Sequence, residues 1–487
     1  MQPSRPSLPS AFAVLGGCLV CATYVVFLLG ANVATIAQDY APGAKATPRA
    51  QPAGAKATPR TQPDGCALPV GAGTWNCSGS VRNWASPGER CAFTPFSGYV
   101  CGAASYSVDC DAVSQRLTRR PICFANFDVE DALVAKGADL EATPAMQEWR
   151  RRVLQPEAPD AAFLAAACSG NAEGRAAPHL GHVVTGAGET WTFGHTLNVL
   201  AALSAWRLDR VYVHHVGAVS GGNFWWNEMA KNPRLTLRRH DPVKIIFGFP
   251  VANPQHQADV IRLEALLEFG GVYFDTDVLA LNDLNDVLAR GRTAVAVERP
   301  AGLINAMVVA PRNATFVQAW YRSYHARGPG CWNCASVVWP PRLAFSRPCE
   351  IEVLPTRSLL VRGQYSEKGL WTVQYAKDYD FGNMRAAHFF SNRGGCFFKS
   401  VRPNDVARGA NTTYFQMLRH ALGQDALLQL ATKYADCPAV AEQPCGAGHA
   451  RPSNATRSRQ NDATAVLAAV CPQLARYKLD PRKPPAR

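Results

Sequence analysis

An α/β domain with a mostly parallel sheet is expected over residues 178–400, and three observations predict it. From Pro178 onward, apolar runs that fit strands alternate with amphipathic runs that fit helices. The stretch 258–281, ADVIRLEALLEFGGVYFDTDVLAL, reads as a helix, a tight turn and a buried strand ending in two carboxylates. Before it, Cys66, Cys77, Cys91, Cys101, Cys110 and Cys123 recur at short intervals, which sets a small stapled module apart from the α/β part.

The whole chain has 487 residues, enough for two or three domains. Hydrophobic residues make up 47% and charged residues 18%, so most of it is globular rather than disordered. The formal charge of +13 suits acidic ligands such as nucleotides, acidic glycans or membrane surfaces. No Lys/Arg run with interleaved aromatics stands out, so no nucleic-acid partner is expected.

Taken in order, residues 1–10 form a short cytoplasmic tail. Residues 11–37 carry no charge and are long enough to cross a bilayer as an uncleaved anchor; the bland alternative is a cleaved signal peptide. Arg5 before the run and Asp39 after it favour a single-pass type II membrane protein. Residues 38–65 hold a repeat, GAKATPRAQPA and GAKATPRTQPD, too poor in large apolar residues to bury a core, and they read as a stem. The cysteine-rich module spans 66–127 and an alanine-rich helical connector 128–177. Six cysteines allow fifteen pairings, and spacing does not choose among them. With an anchor upstream, Cys331-Trp-Asn-Cys334 reads as a structural disulfide rather than a zinc or redox site. The sequons at Asn76, Asn313, Asn411 and Asn454 agree with a lumenal body.

Within 178–400, HLGHVVTG is a first strand, Phe193–Trp206 a helix, DRVYVHHVG a second strand, FWWNEMAKN a short helix and LTLRRHDP a third strand. Leu263, Leu266 and Leu267 mark the helix of the 258–281 stretch, and Gly270-Gly271 stops it. Val272–Phe274 is a buried strand, and alternation along it would point Asp275 and Asp277 the same way. Two carboxylates together call for a cation, and a divalent metal with oxygen ligands is the usual one. Residues 401–487 read as a disulfide-tied extension with helical runs at 413–433 and 462–476.

The stretch ADVIRLEALLEFGGVYFDTDV resembles the signature of the DXD-containing glycosyltransferase family. That family includes fungal α-1,6-mannosyltransferases and animal α-1,4-galactosyl- and N-acetylglucosaminyltransferases, and is family 32-like. The resemblance takes in GHTLNVLAALSAWRLDRVYVHH, the FWW element, GLINAMVVAPRNATFVQAWY and AAHFFSN, from about Pro178 to about Gly395. It implies a GT-A fold, a nucleotide-sugar donor (UDP- or GDP-linked), a divalent metal, Mn2+ or Mg2+, and a Golgi location. It assigns Asp277 to the metal, and Asp275 to the ribose or the metal's water shell. Asp259 and Arg262 match the family's Asp-x-x-Arg, which touches the donor sugar or its diphosphate. Asn305 matches an asparagine after the DXD. His388 and Asn392 match a late segment that closes on metal and diphosphate. The family mostly retains anomeric configuration, so no general base is assigned. The acceptor is a glycan or glycolipid.

Blander readings stand beside these. Asp259 could cap its helix, Arg262 could pair with Glu264 or Glu268 at the surface, and His388 could be a core histidine. His256 could face the donor or merely open the helix. His214 and His215 point to opposite faces and make a poor metal pair. Trp225 and Trp226 favour packing over sugar stacking. At the level of function the alternatives are a haloacid-dehalogenase-like phosphohydrolase, which would need a downstream Lys and acidic pair not found after Asp277, and a non-catalytic glycan-binding scaffold.

Overall fold

The computed structural model describes most of residues 66–125, 143–168, 174–359, 379–390, 395–408 and 411–437, with short interruptions. The expected anchor at 11–37, the stem, Asn392, Asn454 and the run at 462–476 lie outside the described residues. Among the described residues no helix is long and apolar enough to cross a membrane.

Seven strands form the central sheet: β1 Leu180–Thr185, β2 Arg210–Val216, β3 Leu235–His240, β4 Gly271–Phe274, β5 Thr293–Glu298, β6 Gly302–Ala310 and β7 Ile351–Leu354. Their order is β3-β2-β1-β4-β6-β5-β7. All run one way except β6, which is antiparallel to both neighbours. Helices make the crossovers between the first four strands: α1 Phe193–Ala205, α2 Phe224–Ala230 and α3 Pro254–Phe269. The three residues linking β5 to β6 allow no crossover, so β6 turns back. Strands β1 to β3 progress toward one edge, while β4 lies on the other side of β1. That reversal opens a crevice beyond the carboxyl ends of β1 and β4, the place where open α/β sheets bind ligands.

Both faces of the sheet are covered. Val272 and Phe274 of β4 pack into a layer with α1, whereas Tyr273 between them packs into a layer with α3 and α4 (Thr315–Arg327). Helix α3 starts at Pro254, a turn earlier than leucine spacing predicts, because proline suits the first helical position. Asp259 is therefore in the helix's second turn and is no cap. At the other end Gly270 and Gly271 hold φ of 69° and 108°. A Cβ on Gly271 would sit 2.2 Å from the Leu180 carbonyl oxygen, so the close approach of α3's end to β1 requires glycine.

In the cysteine-rich module Gly73–Cys77, Arg90–Pro95, Tyr106–Asp111 and Arg116–Leu117 make a four-stranded antiparallel sheet. Cys77 pairs with Cys91 and Cys101 with Cys123. The module meets the α/β domain at Gly102, whose carbonyl accepts from Phe247 N at 2.7 Å, and at Phe124, whose ring lies 6.5 Å from that of Tyr321. The connector contains helices Pro144–Val153 and Ala161–Ala167, and Cys168 is bonded to Cys349 just before β7. The helical run expected at 413–433 is two helices, α5 Thr413–Leu422 and α6 Gln424–Lys433, because Gly423 takes φ 83° between them. Tyr414 of α5 packs against Phe389, and Tyr434 after α6 against Phe224 and Trp225. Trp225 and Trp226 are buried packing residues. Asn76, Asn313 and Asn411 are all exposed.

A row of buried histidines crosses β1, β2 and β3. His182 Nε2 lies 2.8 Å from the Gly270 carbonyl, His182 Nδ1 lies 3.2 Å from His214 Nε2, and His214 Nδ1 lies 2.8 Å from His240 Nε2. A carbonyl only accepts, so His182 must carry its proton on Nε2. Neutral rings then force His214 and His240 to donate from Nε2 in turn. Burial pushes His182 down to about 4 against an ordinary value of 6.5, aided by Arg238, and pushes His214 well down as well. Arg238 covers Phe269 and faces Glu268 at 3.9 Å. A proton added to His182 or His214 turns an accepting nitrogen into a donor facing another donor. The unfolded chain takes up that proton first, so stability is present above pH 6.5 and falls as pH drops toward 4. His182 alone is expected to cost about 2 kcal/mol between pH 7.5 and 5. Urea unfolding at those two pH values checks it, and equal stability at both contradicts the histidine row.

Candidate metal centre

The two aspartates meet in a turn rather than along a strand. β4 ends at Phe274, and Asp275-Thr276-Asp277 curve into a short strand, Val278–Ala280. Val278 N donates to the Asp275 carbonyl at 3.0 Å, and Asp275 N donates to the Ala306 carbonyl of β6 at 2.9 Å. From α1, Asn198 Nδ2 donates to the Thr276 carbonyl at 2.9 Å. Alternation along a strand is thus not what aligns the carboxylates; the hydrogen-bonded turn does so.

His388 reaches the pair through a two-stranded ribbon. Ala386–His388 runs antiparallel to Val278–Ala280, with His388 opposite Val278, and Phe389 N donates to the Asp277 carbonyl at 3.0 Å. His388 Nε2 is then 3.2 Å from Asp277 Oδ1. One ligand atom each from Asp275, Asp277 and His388 lie within 4.8 Å of one another. Among the described residues this is the group of His, Cys, Asp and Glu that fits a metal ion. Two carboxylate oxygens and one imidazole nitrogen suit Mn2+ or Mg2+ with further oxygen ligands from phosphate or water. Asp275 is pushed above the usual carboxylate range by burial and by Asp277 beside it, with Arg262 and His388 opposing. Burial disfavours charge on His388, yet Asp277 and Asp275 hold its imidazolium above the ordinary histidine value. The shifts place Asp275 and His388 in a buried pocket beside Asp277, where a divalent cation would offset the paired carboxylates.

Arg262 joins this pocket to α3. Its Nη2 lies 3.0 Å from Asp259 Oδ1 and 3.4 Å from Asp275 Oδ1, its Nη1 donates to the Asn305 carbonyl at 2.5 Å, and its guanidinium stacks 4.4 Å over Tyr273. Burial disfavours its charge, but Tyr273, Asp275 and Asp259 more than offset that and hold it protonated. Asn305 of β6 donates from Nδ2 to Asp259 Oδ1 at 2.7 Å. Burial raises Asp259, while Arg262, His256, Ser336 and Asn305 pull it back. Neither surface pairing of Arg262 nor a capping role for Asp259 occurs. His256 Nε2 donates to the Trp332 carbonyl at 3.0 Å and serves the wall beside the site. His214 belongs to the buried row, and His215 Nδ1 lies 2.9 Å from the Gly217 carbonyl.

Residues that sequence spacing did not point to form a largely buried polar cluster near the ends of β1 and β4. Thr185 at the end of β1 donates to Glu189 at 3.0 Å, Lys399 Nζ lies 3.4 Å from Glu189, and His195 Nε2 lies 3.6 Å from it. Tyr273 donates to Asp275 Oδ1 at 2.5 Å. Glu189 and Lys399 are 210 residues apart, and no local pattern links them.

The mostly parallel sheet thus carries the Asp275–Asp277–His388 group beyond the carboxyl end of β4, where open α/β sheets bind ligands. Residues 225–294 match the family model for the glycosyltransferase sugar-binding region containing the DXD motif. The match runs from α2 into β5 and includes Asp259, Arg262, Asp275 and Asp277. The chain thus carries the DXD region of a glycosyltransferase, the family its sequence resembles. It is 27% identical over 248 residues to Glucan organizing enzyme 1 of Cryptococcus neoformans var. grubii serotype A, covering 48% of this chain and 66% of that protein. Among solved structures, the galactosyltransferase LgtC with donor and acceptor sugar analogs is 14% identical, with a TM-score of 0.29 over 52% of this chain and 95% of that one. The glycosyltransferase GlyE of Streptococcus pneumoniae TIGR4 is 9% identical, with a TM-score of 0.30 over 52% of this chain and 63% of that one. Superpositions this loose carry nothing about the chemistry.

Proposed function

We propose that this chain is a metal-dependent glycosyltransferase of GT-A type that moves a sugar from a UDP- or GDP-linked donor to a glycan or glycolipid, with retention. The convergence of Asp275, Asp277 and His388 beside the Asp259–Arg262 pair carries the reading. Asp275, Asp277 and His388 would hold Mn2+ or Mg2+, which supplies Lewis-acid stabilisation of the charge that develops on the leaving diphosphate. In the transfer, the bond from the anomeric carbon to the diphosphate oxygen breaks. A new bond forms from that carbon to the acceptor hydroxyl oxygen on the same face, and the hydroxyl proton passes to the departing diphosphate. That route needs no side-chain base. Arg262 favours the ionised forms of Asp259 and Asp275 and fixes their carboxylates, and Asn305 orients Asp259. Asp259 then presents an oxygen to the donor sugar's hydroxyls. Lys399, paired with Glu189 near the end of β1, would serve as a cation for the donor's phosphates.

The uncharged segment at 11–37, the disulfides and the exposed sequons support a single-pass type II protein of the Golgi membrane with a lumenal catalytic domain. A panel of UDP-galactose, UDP-N-acetylglucosamine, UDP-glucose and GDP-mannose, scored for hydrolysis with Mn2+ and with EDTA, tests the activity. Metal-dependent release of nucleotide from one donor is expected. If no donor is turned over and no nucleotide binds with metal, the non-catalytic scaffold reading stands instead.

A further inference from the structure

The loop Cys331-Trp332-Asn333-Cys334 adjoins α3 next to the site, through the His256 contact with the Trp332 carbonyl. Trp332 is 51% exposed, while every other described tryptophan of the α/β domain is buried. Singly exposed apolar side chains are common and need no explanation. What sets Trp332 apart is how firmly its backbone is held. The Cys331–Cys334 disulfide closes the loop, and His256 Nε2 holds the Trp332 carbonyl at 3.0 Å. The chain then enters a π-helical turn, Cys334–Val338, pinned by Trp320 Nε1 on the Ala335 carbonyl at 2.9 Å. Ser336 in that turn hydrogen-bonds the Asp259 side chain.

This one loop therefore touches α3 at two points, His256 and Asp259. Along α3, His256, Asp259 and Arg262 follow at three-residue spacing and share a face. Arg262 is at the carboxylates of the metal centre, and His256 is about 9 Å further along the axis. The Trp332 ring lies 6.0 Å from the His256 ring, at the end of α3 that extends past Arg262 and the carboxylates. Its neighbours His256 and Asn333 are polar. A single indole is far too small for a protein interface. It is the right size for one pyranose, whose polarised C–H face packs on the electron-rich indole face.

We infer that Trp332 is a stacking platform for a sugar ring of the acceptor, with the disulfide-closed loop as its mount. This rests on the transferase reading above and adds to it the residue that receives the acceptor. The disulfide and the His256 contact hold the Trp332 backbone before binding, so little backbone freedom is lost when a sugar stacks.

The test uses the purified full chain labelled with 5-fluorotryptophan, whose 11 tryptophans each give a resonance. The signal lost in Trp332→Ala assigns Trp332. The probes are the methyl glycosides of glucose, galactose, mannose and N-acetylglucosamine, up to about 50 mM to reach weak affinities. At least one is expected to shift the Trp332 signal selectively. Turnover is followed in parallel, as the ratio of transfer to donor hydrolysis with the best glycoside. Trp332→Ala should lower that ratio at least about tenfold, chiefly through KM for the glycoside, and Trp332→Tyr should restore most of it. If none of the glycosides moves the Trp332 signal, or if Trp332→Ala leaves the ratio unchanged, the inference is wrong. A selective shift in a protein that turns over no donor supports the platform while overturning the transferase reading.

Discussion

Asp277→Asn is expected to lower metal-dependent donor turnover by at least about 10³-fold while the fold survives. The amide keeps the shape of the carboxylate, and the backbone carbonyl of residue 277 still accepts from Phe389 N. What disappears is one of the two carboxylates proposed to hold the metal and the charge partner of His388, 3.2 Å away. On stability the two effects oppose each other. The loss of the His388 pairing is set against relief of the repulsion that helps raise Asp275. The thermal midpoint is therefore expected to move by only a few degrees, which for a domain of this size is about 1 kcal/mol. Turnover and a melting curve on the same preparation check it. Full turnover in the variant would remove Asp277 from the metal centre.

Arg262→Met is expected to damage both stability and activity, because Arg262 is the cation common to Asp259 and Asp275. Without it, Asp259 is left buried with only His256, Ser336 and Asn305 to oppose its desolvation, and Asp275 keeps a like-charged neighbour. Breaking a buried pair from one side costs about 3–5 kcal/mol, since the remaining charge stays uncompensated. Arg262→Lys keeps the charge but not the fork that spans Asp259 Oδ1, Asp275 Oδ1 and the Asn305 carbonyl, so it should recover stability better than turnover. Denaturant midpoints and donor hydrolysis for the two variants separate these effects. A stable, fully active Arg262→Met protein would show that the guanidinium is incidental.

Much of this was legible in residue pattern. Leu263, Leu266 and Leu267, then Gly270-Gly271, then Val272–Phe274 marked helix, stop and buried strand, and each is found within a few residues of its expected place. The parallel sheet followed from the alternation of elements. Asp275 and Asp277 were visible as a pair, although the turn that aligns them depends on Ala306 and Asn198, which lie in other elements. His388 and Asn305 came from resemblance, not from spacing, and the structure brings both to Asp277 and Asp259. The Glu189–Lys399 pair and the histidine row had no sequence signal, since contacts across strands and across 210 residues leave no local period. The single run expected at 413–433 failed because one glycine outweighs good helix formers on both sides of it.

The central claim is that Asp275, Asp277 and His388 hold a divalent cation that in turn holds a nucleoside diphosphate. Titration of the purified protein with Mn2+, followed by electron paramagnetic resonance with and without UDP or GDP, tests it most directly. The account predicts about one bound ion per chain, tighter with the matching diphosphate, and loss of that site in Asp277→Asn. Equal Mn2+ binding by the wild type and Asp277→Asn, or no binding by the wild type with any diphosphate, would contradict it.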